Sequence, residues 1–431
     1  MTLLTIARDG TPEFERALAR LDRRGEVDLG SVEGAVREVL SAVRRDGDRA
    51  VRAYVKRFED REVKELLLTD YGGKEAFETL ATPVREALTE AARRIRRYHE
   101  RQLEDLVSFE YEEEGVRLGS RVRALASVGV YVPGGKASYP SSVLMAAIPA
   151  SVAGVSRIVV ATPSAGPEVR AACHLAGVAA LLDAGGAQAI AALAYGTESV
   201  PRVDKIVGPG NLYVAAAKRL VFGEVGIDSI AGPSEILVVA GKGADPDVVA
   251  ADLLSQAEHD EAAYPLLVCD DEAFARATDD AVVRALTTLP RRAIAEVSVR
   301  EHGVALVVDR ERFPEIANRL AAEHVALHVE DPEALADRID RAGAIFLGAS
   351  TPEAAGDYLA GPSNVLPTGG AVRYGAPLGV YDFVSRSSLI RYGRAALSDQ
   401  GPKIAAFARV EGLEAHARAV EIRTGARGAA H

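Results

Sequence analysis

Two series of short β-branched and aliphatic runs, alternating with helical stretches, constrain this chain most strongly. The first series reads SVGVYV from Ser127, SRIVVATP from Ser156, VAALLDA from Val178 and DKIVG from Asp204. The second reads EILVVAG from Glu235, YPLLVCD from Tyr264, GVALVVD from Gly303, ALHVE from Ala326 and AIFLG from Ala344. Strands alternating with helices imply βαβ units and mostly parallel sheets. Two series therefore imply two doubly wound α/β sheets, although no strict sequence repeat links them. A chain of 431 residues is also longer than one hydrophobic core usually serves. Residues from about 12 to 105 read as helices with charged outer faces. Val36, Val39, Leu40 and Val43, for example, recur at helical spacing. Beyond about Thr368 the chain passes through a glycine-rich loop with aromatic residues, then into helices from about Pro402 to Arg423.

In α/β sheets, ligands collect at the carboxyl ends of strands, in the turns that lead into helices. Glycine clusters occupy such turns here. Pro133-Gly134-Gly135 follows SVGVYV, Gly185-Gly186-Ala187-Gln188 follows LLDA, and Gly208-Pro209-Gly210-Asn211 follows DKIV. Ala231-Gly232-Pro233-Ser234-Glu235 lies between the two series. Each is either a tight turn or a place where backbone N–H groups approach a phosphate or ribose. No strand-linked GxGxxG appears, so the ordinary dinucleotide fingerprint is absent.

Asp245 and Pro246 announce a helix on which Asp252, Gln256 and His259 share a polar stripe. That stripe is either a solvated face or part of a metal site. Glu323-His324 joins a helix to a strand and offers a carboxylate and an imidazole for acid–base work. The same His324 could instead offset the helix C-terminal dipole. His328, inside the strand, reads as packed. His99, His174 and His302 have surface-like or isolated settings. Asp357 follows a glycine and can face a site. Glu411 and His416 would point roughly 140° apart on one continuous helix, and converge only if Gly412 interrupts it. Cys269 lies in an apolar run and Cys173 in a helix, neither near a His–acid pair in sequence, so no thiol nucleophile is indicated.

The formal net charge of −11 argues against a nucleic-acid partner. No apolar run reaches the ~20 residues of a membrane span, and the start lacks the order of a secretory signal. Two cysteines are too few for a disulfide framework or an all-thiolate metal site. The expected compartment is the cytoplasm.

Taken in order, VGVYVPGG, SYPSSVLM, GGAQAIAALAYGTESVP, KIVGPGN, AGPSEILV, ADLLSQAEHD, AAEH, AAGDY, NVLPTGG and GLEAHARAV resemble the histidinol dehydrogenase family over nearly the whole chain. The resemblance implies two Rossmann-like α/β/α domains with small helical terminal segments. Residues 1–20 would form an N-terminal helical segment, and 21–125 with 235–378 a first domain carrying zinc and catalytic residues. Residues 126–234 would form a second domain contacting NAD, and 379–431 a C-terminal segment reaching a partner subunit. It implies zinc held by Gln256, His259 and Asp357, with His416 from the other chain of a homodimer with shared active sites. Glu323 and His324 match the acid–base pair. Tyr131, Gln188 and Asn211 match NAD-contacting positions. Ser234 and Glu411 match substrate-contacting ones, where Gln256, His259, His324, Asp357 and His416 also touch the substrate. The implied activity is oxidation of L-histidinol to L-histidine with two NAD reduced, in histidine biosynthesis. Many members carry histidine before VLPT where this chain has Asn364, which bears on substrate identity. Another small polar alcohol, such as a diol sulfonate or amino alcohol, is the alternative on the same scaffold. A zinc hydrolase would leave the glycine turns without purpose.

Overall fold

The computed structural model describes residues 2–25, 29–134, 138–241 and 243–425. These divide into two compact units, residues 1–101 with 125–383, and residues 102–124 with 384–431.

The larger unit contains both expected parallel sheets. One has the strand order Thr5–Arg8, Val304–Val307, Tyr264–Cys269, Glu235–Ala240, His324–His328, Ala344–Leu347, every pair parallel. The other runs Leu67–Leu68, Ala180–Leu182, Arg157–Ala161, Ser127–Tyr131, Lys205–Val207, Gly226–Ile227, parallel except at the Leu67–Leu68 edge. All nine expected strands are present. Counted from Ser127 in one sheet and Glu235 in the other, both follow the doubly wound order 3-2-1-4-5. Each adds an edge strand from the N-terminal region beside its third strand. The central strands are buried on both faces, and so read as unbroken apolar runs. Each fully buried Val, Leu or Ile there contributes roughly 1.5–3 kcal/mol.

The N-terminal helices are assigned differently from the sequence reading. Gly30–Glu59, broken at Gly47, and Thr82–Leu103 pack on the Ser127 sheet, not with residues 235–378. Their apolar stripes, Val36, Val39 and Val51 on one helix and Leu88, Ala92 and Ile95 on the other, complete the two faces of that sheet. The first twenty residues are not purely helical either, because Thr5–Arg8 extends the Glu235 sheet. The register of a short edge strand with one buried residue leaves little signal in composition.

The smaller unit also departs from expectation. Its C-terminal helices, Arg394–Val410 and Glu414–Thr424, accompany an antiparallel sheet of Phe109–Glu113, Val116–Ala124 and Val384–Tyr392. Those strands are largely exposed and mix charge with apolar residues, which obscures their alternation. Among the described residues, no helix is long and apolar enough to cross a membrane.

The turn after Lys205–Val207 shows how tightly the carboxyl ends are built. Gly208 has φ +110°, and a Cβ there would overlap the Tyr131 carbonyl oxygen. Its N–H donates to Asp228 at 2.7 Å, and its carbonyl accepts from buried Lys218, itself paired with Asp228. Gly208→Ala is expected to lower the unfolding free energy by about 1–3 kcal/mol, measured by urea denaturation.

Candidate active site

The site starts from the pairing of two strands. Ile236 lies opposite His324 in the parallel register, which brings the residue before each into the same turn region. Glu235 then holds both members of the candidate acid–base pair through its backbone. Its N–H donates to Glu323 Oε2 at 2.9 Å, and its carbonyl faces His324 Nδ1 at 2.9 Å. A carbonyl oxygen only accepts, so Nδ1 carries a hydrogen, and any proton transfer by the ring must use Nε2. The ring's Nδ1 hydrogen bond thus goes to the neighbouring strand at Glu235. The preceding helix, Phe313–Leu320, ends at Ala321 in the left-handed region, three residues earlier.

The Glu235 side chain is fixed in turn. It accepts from the buried Arg24 guanidinium at 2.7 Å and from the Gly369 N–H. Gly232 donates to Thr368 Oγ1 at 2.6 Å, so the loop carrying Asn364 is pinned to the AGPSE turn at two points. Asn364 is half-buried, and Ser234 is half-buried beside Glu235.

The polar stripe on Pro246–Ala257 is no solvated face. Asp252 and Gln256 are buried, and Gln256 Oε1 has no hydrogen-bond partner. Asp252 accepts from His328 Nε2 at 2.8 Å, which accounts for His328 as a packed residue. His259, in the turn after that helix, lies 4.0 Å from Asp357. Asp357 sits on the short helix Glu353–Tyr358. A Cβ at neighbouring Gly356 would come within 2.8 Å of the Phe346 ring, so glycine is what lets this helix close on the sheet.

One residue was missed in the sequence, Glu353. Its carboxylate is buried, accepts from Ser255 at 2.7 Å, and leaves Oε1 without a hydrogen-bond partner 3.8 Å from His324 Nε2. Donor atoms of His324, Glu353 and Asp357 all lie within 4.8 Å of one another. Glu353 follows a proline in an unremarkable TPEAAGDY stretch, and only its Glu–x–x–x–Asp spacing, one helical turn, could have nominated it. Burial, with Asp357 beside it, pushes Glu353 up to about 7. Burial likewise pushes Glu323 up to about 8, against the opposing pull of His324.

The donor set suits a cation. Gln256 Oε1 is buried without a partner, and His259, more exposed, has Nε2 4.0 Å from Asp357; an amide oxygen, an imidazole and a carboxylate are donor types that a divalent zinc ion would take. Of the ligands implied by the resemblance, the structure brings His259 and Asp357 together, and leaves the Gln256 amide oxygen without a partner.

At the carboxyl ends of the Ser127 sheet lies a cavity of about 980 Å³. Tyr131, Gln188 and Asn211 all line it, with Phe58, Glu59 and Tyr213. Tyr131 Oη accepts from the Gly186 N–H at 3.0 Å, and Asn211 caps the helix Leu212–Val221. Gly134 lines the cavity, while Gly135 lies outside the described residues. The volume is at the upper end of the usual range for ligand pockets, roughly 300–1,000 Å³.

Glu411 and His416 belong to the smaller unit. Glu411 caps Arg394–Val410, Gly412 has φ +75°, and His416 lies on the next helix, so the interruption required for their convergence is present. Both cysteines are buried, and burial pushes Cys269 up to about 12, so neither is a thiolate nucleophile. His99 is not surface-like: it is fully buried, with Nδ1 on the Ile95 carbonyl.

A family model described as histidinol dehydrogenase matches residues 22–424. The histidinol dehydrogenase of Syntrophotalea carbinolica is 51% identical over 418 residues, 95% of this chain and 97% of that protein. That of Aquifex aeolicus is 49% identical over 419 residues, 95% of this chain and 97% of its own. The crystal structure of histidinol dehydrogenase from Elizabethkingia anophelis superposes with a TM-score of 0.91 at 32% identity, covering all of both chains. The resemblance carried by the motifs is thereby borne out: this chain belongs to the histidinol dehydrogenase family of oxidoreductases.

Proposed function

We propose that this chain oxidises L-histidinol through L-histidinal to L-histidine, using zinc and two NAD. The observation that carries the reading is the placement of His324, whose Nδ1 is held at 2.9 Å by the Glu235 carbonyl and whose Nε2 stands 3.8 Å from Glu353, in one cluster with Asp357. Gln256, His259 and Asp357 would hold zinc, with His416 of the partner subunit as fourth ligand. When bound, zinc clamps the substrate nitrogens as a Lewis acid, and NAD accepts the hydride. His324 Nε2 takes the hydroxyl proton as the carbinol carbon gives up hydride. Glu323 then takes a proton from the water that attacks the aldehyde carbon. His324 serves again as the hydrated aldehyde is oxidised. Tyr131, Gln188 and Asn211 would position the dinucleotide, and Ser234 with Glu411 the substrate. Burial of the acid–base pair excludes bulk water from the reacting atoms.

A homodimer with shared sites follows from the same reading. Its support is the smaller unit, where Phe407, Val410 and Ile422 expose 68%, 82% and 77% of their surface. Such a concentration of exposed apolar side chains marks an association surface, here for a second copy of the chain.

The direct test is growth of NADH absorbance when enzyme, NAD and L-histidinol are mixed. NAD binding without turnover of histidinol would instead favour another small polar alcohol. Zinc content should fall with activity in His259→Ala and Asp357→Ala, measured by metal analysis and initial rates. Near-normal turnover with stoichiometric zinc in His259→Ala would overturn the ligand assignment.

Glu323 separates the two half-reactions. Its raised pKa keeps the carboxyl protonated at neutral pH, so its basic form grows as pH rises. With histidinal supplied, the rate should climb about tenfold per pH unit below about 8 and level off above it. Glu323→Gln should abolish that dependence and spare alcohol oxidation more than aldehyde oxidation. Equal damage to both steps would refute the division of labour.

Subunit mixing tests the shared site. Inactive His416→Ala and His259→Ala chains, co-refolded at random, should recover about a quarter of wild-type activity, half the dimers having one intact site. Verified exchange without activity would place His416 in its own chain's site.

A further inference from the structure

The cavity at the carboxyl ends of the Ser127 sheet contains an ion network that the proposed reaction does not use. Arg61 bridges Glu59 Oε2 at 2.5 Å, on the cavity wall, and Asp183 Oδ2 at 2.8 Å, in an adjoining pocket of about 620 Å³ that shares Thr162, Ser164 and Ala165 with the cavity. Glu59 is the last residue of Gly30–Glu59, and Asp183 directly follows the strand Ala180–Leu182. Both carboxylates also hold backbone N–H groups of the turns that a phosphate would seek. Gly185 donates to Glu59 Oε1 at 2.9 Å and Ser164 to Asp183 Oδ1 at 2.8 Å. A glycine turn at a helix N-terminus is ordinarily an anion site. In these two turns the protein's own carboxylates already occupy it.

The two acids differ in what they have left to offer. Glu59 accepts from Gly185, from Gln188 Nε2 at 3.2 Å and twice from Arg61, which fills its acceptor positions. It acts as a fixed negative charge. Asp183 accepts once at each oxygen, from Ser164 and Arg61, and keeps room for hydroxyl donors. Arg61 is committed to both and cannot turn to a phosphate without breaking these bonds.

Position along the sheet assigns the part of the ligand concerned. Tyr139, which also lines the cavity, lies within electrostatic reach of Tyr358, next to Asp357. That side faces the reacting end. Asp183 lies beyond the third strand, two strands or roughly 10 Å from Ser127–Tyr131. A dinucleotide lying along the cavity with its reacting end toward Tyr139 would carry its adenosine to the Asp183 side.

We propose that Glu59 and Asp183 select a dinucleotide whose adenosine ribose has free hydroxyls and reject one bearing a 2′-phosphate. The proposal rests on the NAD reading above. Asp183 accepts from the ribose hydroxyls, whereas a phosphate dianion meets two fixed carboxylates with their one arginine already paired.

Calorimetric titration of the intact enzyme with NAD and with NADP, without substrate, tests it. Wild type should bind NAD at least about tenfold more tightly than NADP, and Asp183→Asn and Glu59→Gln should each shrink that ratio by roughly tenfold or more. Should Glu59→Gln fail to fold, Asp183→Asn, which keeps the Glu59–Arg61 pair, carries the test. Equal affinity of wild type for both dinucleotides, or an unchanged ratio in the variants, overturns the selection alone. Binding of neither dinucleotide overturns the NAD reading of the cavity and this selection with it.

Discussion

Glu235 is the residue on which the candidate site depends. Its backbone N–H and carbonyl engage Glu323 and His324 at once, which is possible only because its strand pairs in parallel with His324–His328 in one register. A slip of one residue would turn His324 to the opposite face of the sheet. The register is secured by apolar burial along both strands and by the Arg24 pair, whose two side chains are each 1% exposed. Removing one partner of such a pair leaves an uncompensated buried charge, typically costing about 3–5 kcal/mol. Arg24 also donates to the Leu320 carbonyl, so the same guanidinium steadies the chain just before Glu323.

Around this anchor the protein gathers acids that are unfavourable together. Asp252, Glu323, Glu353 and Asp357 are all buried, and Glu323 and Glu353 take up protons at unusually high pH for carboxyl groups. Some of the cost is offset locally, by His328 for Asp252 and by Ser255 for one oxygen of Glu353. The other Glu353 oxygen and the Gln256 amide oxygen have no such partner. A buried polar atom without a partner costs about 1–3 kcal/mol, and a bound ion is one way to recover that cost. A cation and a cationic substrate are the ligands this charge pattern favours.

The strand core was legible because burial on both faces writes itself as continuous apolar runs. EILVVA and YPLLVC could hardly be anything else at that length between turns. The exposed antiparallel strands, such as VSRSSLIRY, gave no such signal, and packing of the N-terminal helices on the Ser127 sheet is a tertiary choice that amphipathicity alone leaves open. Of the site, Glu323, His324, Gln256 and His259 could be nominated as residues with chemistry, but only the family resemblance joined them. Glu353 escaped because nothing in its neighbourhood distinguishes it from a surface glutamate, and its burial comes from the fold. Gly412 was readable in the opposite way: the angular argument required a break between Glu411 and His416, and the positive φ supplies it.

The two sheets share a strand order yet use opposite ends, and helix polarity explains the choice. The cavity lined by Tyr131, Gln188 and Asn211 is at the carboxyl ends of the Ser127 sheet, where turns feed helix N-termini and the field favours anions. The candidate acid–base pair, Glu323 and His324, is at the amino ends of the Glu235 sheet, against the usual rule for open α/β sheets. There the helices arrive by their C-termini. Gln256 and His259 lie at and just beyond the end of Pro246–Ala257, Glu323 follows the end of Phe313–Leu320, and Asp357 is in the last turn of Glu353–Tyr358. Helix C-termini carry partial negative charge and stabilise cations, each by about 0.3–1 kcal/mol where exposed and more where partly buried. A cation would thus meet favourable backbone dipoles at one set of ends, and a diphosphate at the other. Moving the acid–base pair to the carboxyl ends would have set cation and diphosphate in competition for the same field.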